Sequence, residues 1–78
     1  MKTHTLKIWP NYFEAVRSKE KKFELRKRDR DFQEGDVLNL REFDPESRCY
    51  TGSIFSAEIK YILKNAPGLD PDYCILGF

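Results

Sequence analysis

The chain has 78 residues, of which 40% are hydrophobic and 14% aromatic, enough for one hydrophobic core but too few to divide between two domains. We therefore predict a single domain over residues 1–78. Residues 1–30 hold ten Lys or Arg against four acids (+6), and residues 31–78 hold four against nine (−5), which gives the net charge of +1. Such segregation favours equally a nucleic-acid-binding face and two halves that attract each other.

The composition also bears on compartment and cofactors. No apolar run approaches the roughly 18 residues of a membrane helix, and the N-terminal residues lack the apolar stretch of a signal peptide, so we expect a cytoplasmic protein without membrane contact. Cys49 and Cys74 have no metal-ligand spacing and are predicted to stay thiols, with Cys74 in the core. The acidic residues lack a spaced Cys or His partner, so no metal and no cofactor are predicted: Asp36, Asp44, Glu46.

The first half of the chain reads as a strand, a helix and a second strand. Residues 3–8 alternate as a half-buried strand does. Pro10 suits the first turn of a helix, and the helical spacing of Tyr12, Phe13 and Val16 predicts a helix over 10–18 that packs on a sheet. Residues 22–28 alternate again, with Phe23 and Leu25 on an apolar face opposite a charged one.

Three further strands are predicted in the second half, over 36–43, 54–63 and 73–78. A long hairpin loop with Pro45 and Gly52 is expected between the first two. Five strands and one or two short helices indicate a β-rich α+β domain, a small and partly closed barrel. Period-two alternation predicts seven core residues: Phe23, Leu25, Leu38, Leu40, Ile59, Tyr61 and Ile75.

The most basic segment is the candidate site. Residues 17–30 hold eight basic residues against three acids and run from the end of the helix into the second strand. A solvated charged face would explain this composition as well as a binding site would. Two observations favour a site: the spacing Lys21-x-x-Glu24-x-Arg26, and the short sequence blocks around it.

The spacing resembles the core of the ASCH signature, Gly-x-Lys-x-x-Glu-x-Arg, and lies after the first helix, as it does in that family. The chain is similar to a small stand-alone bacterial and phage subgroup through an ordered set of blocks: 4–8, 12–16, 23–26, 29–32, 35–38, 44–45, 50–52 and 61–63. It departs from the family pattern at Lys19, where the family has Gly, at Lys22 and at Arg28. The loss of Gly puts the tight turn at position 19 in doubt.

The resemblance implies a PUA-like β-barrel with a cleft lined by Lys21, Glu24 and Arg26, and a role in RNA binding linked to translation or RNA processing. The three side-chain types suit a phosphate-bearing ligand, because Arg presents a planar fork, Lys a mobile charge, and Glu an acceptor that could also orient the Arg.

Four more residues are candidate ligand contacts: Arg28, Arg30, Trp9 and His4. Each has a structural alternative. His4 could be a satisfied, partly buried ring of the first strand, and Trp9 before Pro10 could be core or hinge rather than a stacking platform. Arg30 could belong to a local ion-pair turn.

Three functions are compatible with these residues. The preferred one is a binding module for RNA or a nucleotide, without catalysis. The second is a small amidohydrolase of an acylated or modified nucleobase or nucleoside, a chemistry that the ASCH resemblance allows, with Lys21 and Glu24 as catalytic residues. The third is a phage-encoded protein-interaction factor. The sequence leaves the oligomeric state open, and a monomer is compatible with it.

Overall fold

The computed structural model describes residues 1–78 and shows a small β-rich α+β domain with six strands in two sheets and one short helix. The helix has eight residues, so no helix could cross a membrane. The elements follow in the order β1 (Thr3–Ile8), α1 (Pro10–Arg17), β2 (Phe23–Lys27), β3 (Val37–Asp44), β4 (Cys49–Glu58), β5 (Tyr61–Leu63) and β6 (Tyr73–Gly77).

Each sheet has three strands. In sheet A, with order β1-β3-β4, β1 runs parallel to β3 and β4 antiparallel to it. In sheet B, with order β2-β6-β5, both pairings are antiparallel. Strands β1 and β2 are therefore edge strands, one of each sheet. The chain passes between the sheets at Ile59 and Lys60, whose N–H groups donate to Asp36 O and Gly77 O respectively.

Helix α1 lies where the sequence predicts it. Pro10 occupies the first turn, where its missing N–H has no intrahelical partner, and Phe13 and Val16 face the core. The helix stops at Ser18, and Lys19 takes the left-handed conformation with φ of 69°. A turn that favours Gly is thus kept with a Lys in its place, which strains the backbone by about 1 kcal/mol.

The core lies between the sheets and the helix. Leu6 and Ile8 of β1 alternate inward and meet Leu38 and Leu40 of β3, which are fully buried. Ile59, Cys74 and other apolar residues complete one continuous cluster of ten: Leu6, Ile8, Phe13, Val16, Phe32, Leu38, Leu40, Ile59, Cys74 and Leu76. The predictions of burial for Leu38, Leu40, Ile59 and Cys74 are confirmed.

The predicted face of β2 is wrong. Phe23 and Leu25 are 45% and 53% exposed, whereas Glu24 between them is 4% exposed. The register gives the reason: Glu24 lies opposite Leu76, which is fully buried, and Leu25 lies opposite the half-buried Ile75. A shift of one residue in a strand exchanges its two faces, and alternation alone does not say which face is inward.

The predicted strand over 54–63 and the loop before it also need correction. The loop is a short turn, because β4 already begins at Cys49 and bulges near Gly52, whose φ is 94°. At the other end the chain changes sheets after Glu58, so Tyr61 belongs to sheet B and is 62% exposed instead of buried. Both cysteines are free thiols, with Cys49 exposed in β4 and Cys74 in the core.

A buried polar pair holds the start of β1 to the turn before β3. Asp36 Oδ2 lies 2.8 Å from His4 Nε2, and the Asp36 carboxylate also accepts from the backbone N–H groups of Lys2 and Gln33. These hydrogen bonds lower the pKa of Asp36 to about 2, and the hydrogen bond with His4 has the largest effect. The ring of His4 packs 4.7 Å from that of Phe32.

We expect this pair to make the domain acid-sensitive below about pH 4. The pKa of Asp36 is lower in the folded than in the unfolded chain, where it is about 3.9, so its stabilisation is complete above that value and is lost as the pH falls towards 2. Thermal unfolding between pH 7 and pH 2 measures this. Asp36→Asn should reduce the fall in melting temperature at acidic pH. Asp29→Asn, at an exposed site without a partner, should not. An equal fall for parent and Asp36→Asn would contradict the assignment.

Candidate functional site

A cleft of about 670 Å³ opens between the edge strands β1 and β2 and the first turn of α1. This volume is typical of sites for small ligands. Nine residues line it: Lys7, Ile8, Trp9, Tyr12, Lys21, Phe23, Glu24, Leu25 and Arg26. It is thus an apolar and aromatic cleft around a small charged group.

The charged group is a triad centred on Glu24. Lys21 Nζ lies 2.5 Å from Glu24 Oε1, and Arg26 Nε donates to Glu24 Oε2 at 3.1 Å. The Glu24 side chain is 5% exposed, while those of Lys21 and Arg26 are 20% and 25% exposed. Both carboxylate oxygens are therefore occupied, and the triad carries a net charge of +1.

Local geometry brings the triad together. Glu24 and Arg26 are two residues apart on β2, so their side chains share the face of sheet B that also carries Leu76 and Cys74. Lys21 lies in the turn before β2, where its N–H donates to Ala15 O at the end of α1. The structure thus places the three residues of the Lys-x-x-Glu-x-Arg core in one cleft.

Arginine side chains connect the two sheet edges across this region. The carbonyl of Lys2 accepts from the N–H of Val37 in β3. Backbone carbonyls of successive residues point to opposite sides of a strand, so those of Thr5 and Lys7 point to the free edge of β1. Arg26 Nη2 donates to Lys7 O at 2.5 Å and Arg30 Nη1 donates to Thr5 O at 3.3 Å. Side chains of β2 and of the segment just after it therefore satisfy carbonyls where a neighbouring strand would otherwise do so.

Aromatic rings form the rim of the cleft. Trp9, Tyr12 and Phe23 are 53%, 50% and 45% exposed. Lys21 Nζ lies 5.0 Å from the ring centroid of Tyr12 and 5.3 Å from that of Phe23, within cation–π range of both. Tyr12 was expected to pack on a sheet with Phe13, and Phe23 to lie in the core; both instead face the cleft.

Three of the predicted ligand residues lie outside the cleft. His4 is buried against Asp36 and Phe32, which agrees with its structural alternative. Arg28 donates to Asn65 Oδ1 and Pro71 O, so it tethers the loop before β6. Arg30 bridges to β1 beside the cleft without lining it. The other four, Lys21, Glu24, Arg26 and Trp9, line the cleft together.

The cleft has spare hydrogen-bond donors. Glu24 takes one of the three Lys21 donors, and the Nη1 amino group of Arg26 has no partner within the protein. These N–H groups could bind an anion or an oxygen acceptor. No three His, Cys, Asp or Glu side chains form a group that could hold a metal ion.

The chain shows sequence similarity to known proteins. Residues 3–78 match the model of a family described as a domain of unknown function, DUF3850. The chain belongs to this family. It is also 33% identical over 75 residues to an uncharacterized 12.9 kDa protein in the GpA 3′ region of Escherichia phage P2. That match covers 96% of this chain and 66% of the phage protein, so the DUF3850 chain spans slightly less than two thirds of its relative.

The residues that sequence reasoning missed in this DUF3850 domain are Lys7 and apolar residues of the cleft. Lys7, Ile8, Phe23 and Leu25 line it and were not predicted as ligand contacts. One sequence signal points to two of them: Phe23 and Leu25 flank Glu24 within the charged segment, and both faces of an edge strand can border a cleft.

Proposed function

We propose that this DUF3850 domain binds a nucleotide or single-stranded RNA in the cleft between β1 and β2, as a cytoplasmic module of the ASCH type without catalytic activity. The observation that carries the proposal is the combination of exposed aromatic rings with the spare donors of Lys21 and Arg26 in one cleft. A base that stacks on an aromatic ring gains about 1–3 kcal/mol, and the cations would contact its phosphate.

Glu24 makes bare phosphate a poor ligand. Its carboxylate lies between the two cations and reduces the charge of the triad to +1. A ligand that offers a planar apolar ring as well as a phosphate uses both parts of the cleft, whereas inorganic phosphate or polyphosphate uses only one. We therefore infer that nucleotides bind more tightly than polyphosphate.

The arrangement of the two sheets supports an ASCH-type, PUA-like barrel as the fold behind this function. The edges of β1 and β2 lie near enough for Arg26 and Arg30 to bridge them, as they would in a partly closed barrel. The Lys-x-x-Glu-x-Arg core also projects into the cleft between these edges, as the resemblance implies.

The amidohydrolase alternative has one observation in its favour, the contact of Lys21 with Glu24 in a largely apolar cleft. Two observations weigh against it. An ammonium that is paired with a carboxylate is a poor base, and the hydroxyls of Ser18 and Thr51, which could have assisted such a base, are engaged elsewhere. Ser18 Oγ contacts Ala15 O and Glu20, and Thr51 Oγ1 donates to Glu42. Binding is therefore the better supported function.

We expect nucleoside monophosphates and short single-stranded RNA to change the fluorescence of Trp9, the single tryptophan of the chain, because Trp9 lines the cleft. The test variant replaces the whole triad, as Lys21→Met, Glu24→Leu and Arg26→Met, so that no buried charge is left without a partner. It should bind at least tenfold more weakly than the parent protein.

Lys60→Met is the matched control, since it also removes one net positive charge but lies exposed on the link between β4 and β5. It should bind as the parent does. Circular dichroism checks that the triad variant is folded. If the folded triad variant binds as tightly as the control, the proposed site is wrong. Turnover of acylated nucleosides by the parent, lost in Lys21→Met, would favour the amidohydrolase instead.

A further inference from the structure

A second cluster of basic and aromatic side chains lies on the outer face of sheet A, the face that points away from the core. Lys7 of β1 and Arg41 of β3 are direct neighbours in the parallel register. Arg41 lies opposite Ile54 of β4, and Phe43 opposite Tyr50. These five residues, Lys7, Arg41, Phe43, Tyr50 and Ile54, are called the outer patch.

The cations and rings of the outer patch contact one another. Lys7 Nζ lies 4.1 Å from the ring centroid of Phe43, and Arg41 Cζ lies 4.0 Å from that of Tyr50. The two rings meet edge to face at 5.1 Å. Tyr50 and Ile54 are 43% and 52% exposed, so the patch presents apolar area to solvent as well as charge.

No carboxylate neutralises the cations of the outer patch. The ion pairs of the molecule involve His4, Arg17, Lys21 and Arg26, and neither Lys7 nor Arg41 is among them. The nearest acids in sequence are engaged otherwise: Glu42 accepts from Thr51 Oγ1, and Asp44 accepts from Glu46 N–H in the turn after β3. The patch therefore suits an anionic partner with planar groups.

The outer patch is continuous with the cleft. Lys7 belongs to both, because it lines the cleft and also covers Phe43. Trp9, at the rim of the cleft, follows Lys7 by two residues in extended backbone, so both side chains leave the chain on the same side. A strand that leaves the cleft past Trp9 and Lys7 would next meet Arg41.

We propose that the cleft and the outer patch form one track for single-stranded RNA, with one nucleotide in the cleft and the next nucleotides across β1, β3 and β4 at Lys7, Arg41 and Tyr50. This proposal rests on the function proposed above and adds the path of the RNA strand outside the cleft. Exposed rings on a sheet are stacking platforms for unpaired bases, and an arginine plane stacks on a base as well. A duplex offers no free bases, so it should bind more weakly than a single strand.

The experiment compares a mononucleotide with a single-stranded RNA hexamer on the parent protein, on Arg41→Gln, on Tyr50→Leu and on Lys60→Gln. Trp9 fluorescence follows the mononucleotide, and anisotropy of a labelled hexamer follows the strand. The parent should bind the hexamer at least tenfold more tightly than the mononucleotide. Arg41→Gln and Tyr50→Leu should each weaken the hexamer about fivefold or more and leave mononucleotide affinity unchanged. Lys60→Gln, the charge-matched control, should change neither.

Salt dependence gives an independent measurement. Each phosphate contact contributes roughly −0.7 to the log–log slope of affinity against salt for single strands. The slope for the hexamer should therefore be less steep by about that amount in Arg41→Gln. Equal affinities for the two ligands, or an effect of Arg41→Gln no larger than that of Lys60→Gln, would overturn the track and leave the cleft as a nucleotide site. Absence of binding of both ligands to the parent would overturn the track and the proposed function together.

Discussion

Replacement of both Lys21 and Arg26 by alanine is expected to lower the free energy of unfolding by about 3–5 kcal/mol, although both side chains are hydrophilic and line the cleft. The reason is Glu24, whose side chain is 5% exposed and whose two oxygens are satisfied by these cations alone among side chains. Without them the fold would bury a carboxylate with no partner. For a domain of this size the melting temperature should fall by roughly 15–30 °C.

A third substitution separates this effect from loss of the cationic side chains themselves. Addition of Glu24→Leu to the double variant removes the unpaired charge and should restore most of the lost stability, because a buried ion group replaced by apolar residues of similar volume is often neutral or stabilising. Arg17→Ala is the control for breaking an ion pair. Arg17 contacts Glu14 at 2.6 Å, but both are well exposed, so little change is expected.

Chemical denaturation of these four proteins decides the question. A double variant as stable as the parent would mean that Glu24 is solvated and that the cleft is open around it. The triple variant differs from the triad variant of the binding experiment only in alanine instead of methionine at positions 21 and 26, so its stability also shows whether the domain folds without the triad charges.

Leu76→Ala and Leu25→Ala are the same substitution on neighbouring strands of sheet B. We expect the two variants to differ several-fold in how much they lower the free energy of unfolding. Leu76 is fully buried in the core cluster, and its truncation should lower the free energy of unfolding by about 2–5 kcal/mol, the range for a buried leucine that leaves a cavity. Leu25 is 53% exposed at the rim of the cleft, and its truncation should cost less than about 1 kcal/mol.

This pair tests the face of β2 directly. Leu25 lies opposite Ile75 and Glu24 lies opposite Leu76, so the strand has only two orientations, which exchange the positions of Leu25 and Glu24. Urea titrations of both variants measure the difference. Equal losses of stability would show that Leu25 is in the core and that Glu24 is outside, which would also remove the basis of the charged triad.

The sequence was a good guide wherever one local rule acted alone. Pro10 in the first turn and the helical spacing of Phe13 and Val16 gave α1 within one residue. The spacing of Lys21, Glu24 and Arg26 indicated side chains that lie together, and two residues of separation on a strand makes that nearly unavoidable for the last two.

Tertiary structure decided which side of each strand is inside. Phe23 and Leu25 look like core residues because alternation normally buries the apolar face, but β2 is an edge strand beside a cleft, and Glu24 could be buried there because Lys21 and Arg26 compensate its charge. That compensation depends on residues from the turn and the same strand meeting in space, which a one-dimensional pattern does not contain.

The course of the chain between the sheets was equally beyond the sequence. The run 54–63 alternates throughout, and only the hydrogen bonds of Ile59 and Lys60 with two different sheets end one strand and begin another. The outer patch has the same origin. Lys7 and Arg41 are far apart in the chain and become neighbours through the parallel pairing of β1 with β3, and Tyr50 joins them through the antiparallel pairing of β3 with β4. Local composition and spacing thus determined α1, the strands β1, β2, β3 and β6, and the residue types of the triad. Long-range pairing decided which residues are buried and which surfaces are continuous, because burial and adjacency across strands depend on partners that are distant in sequence.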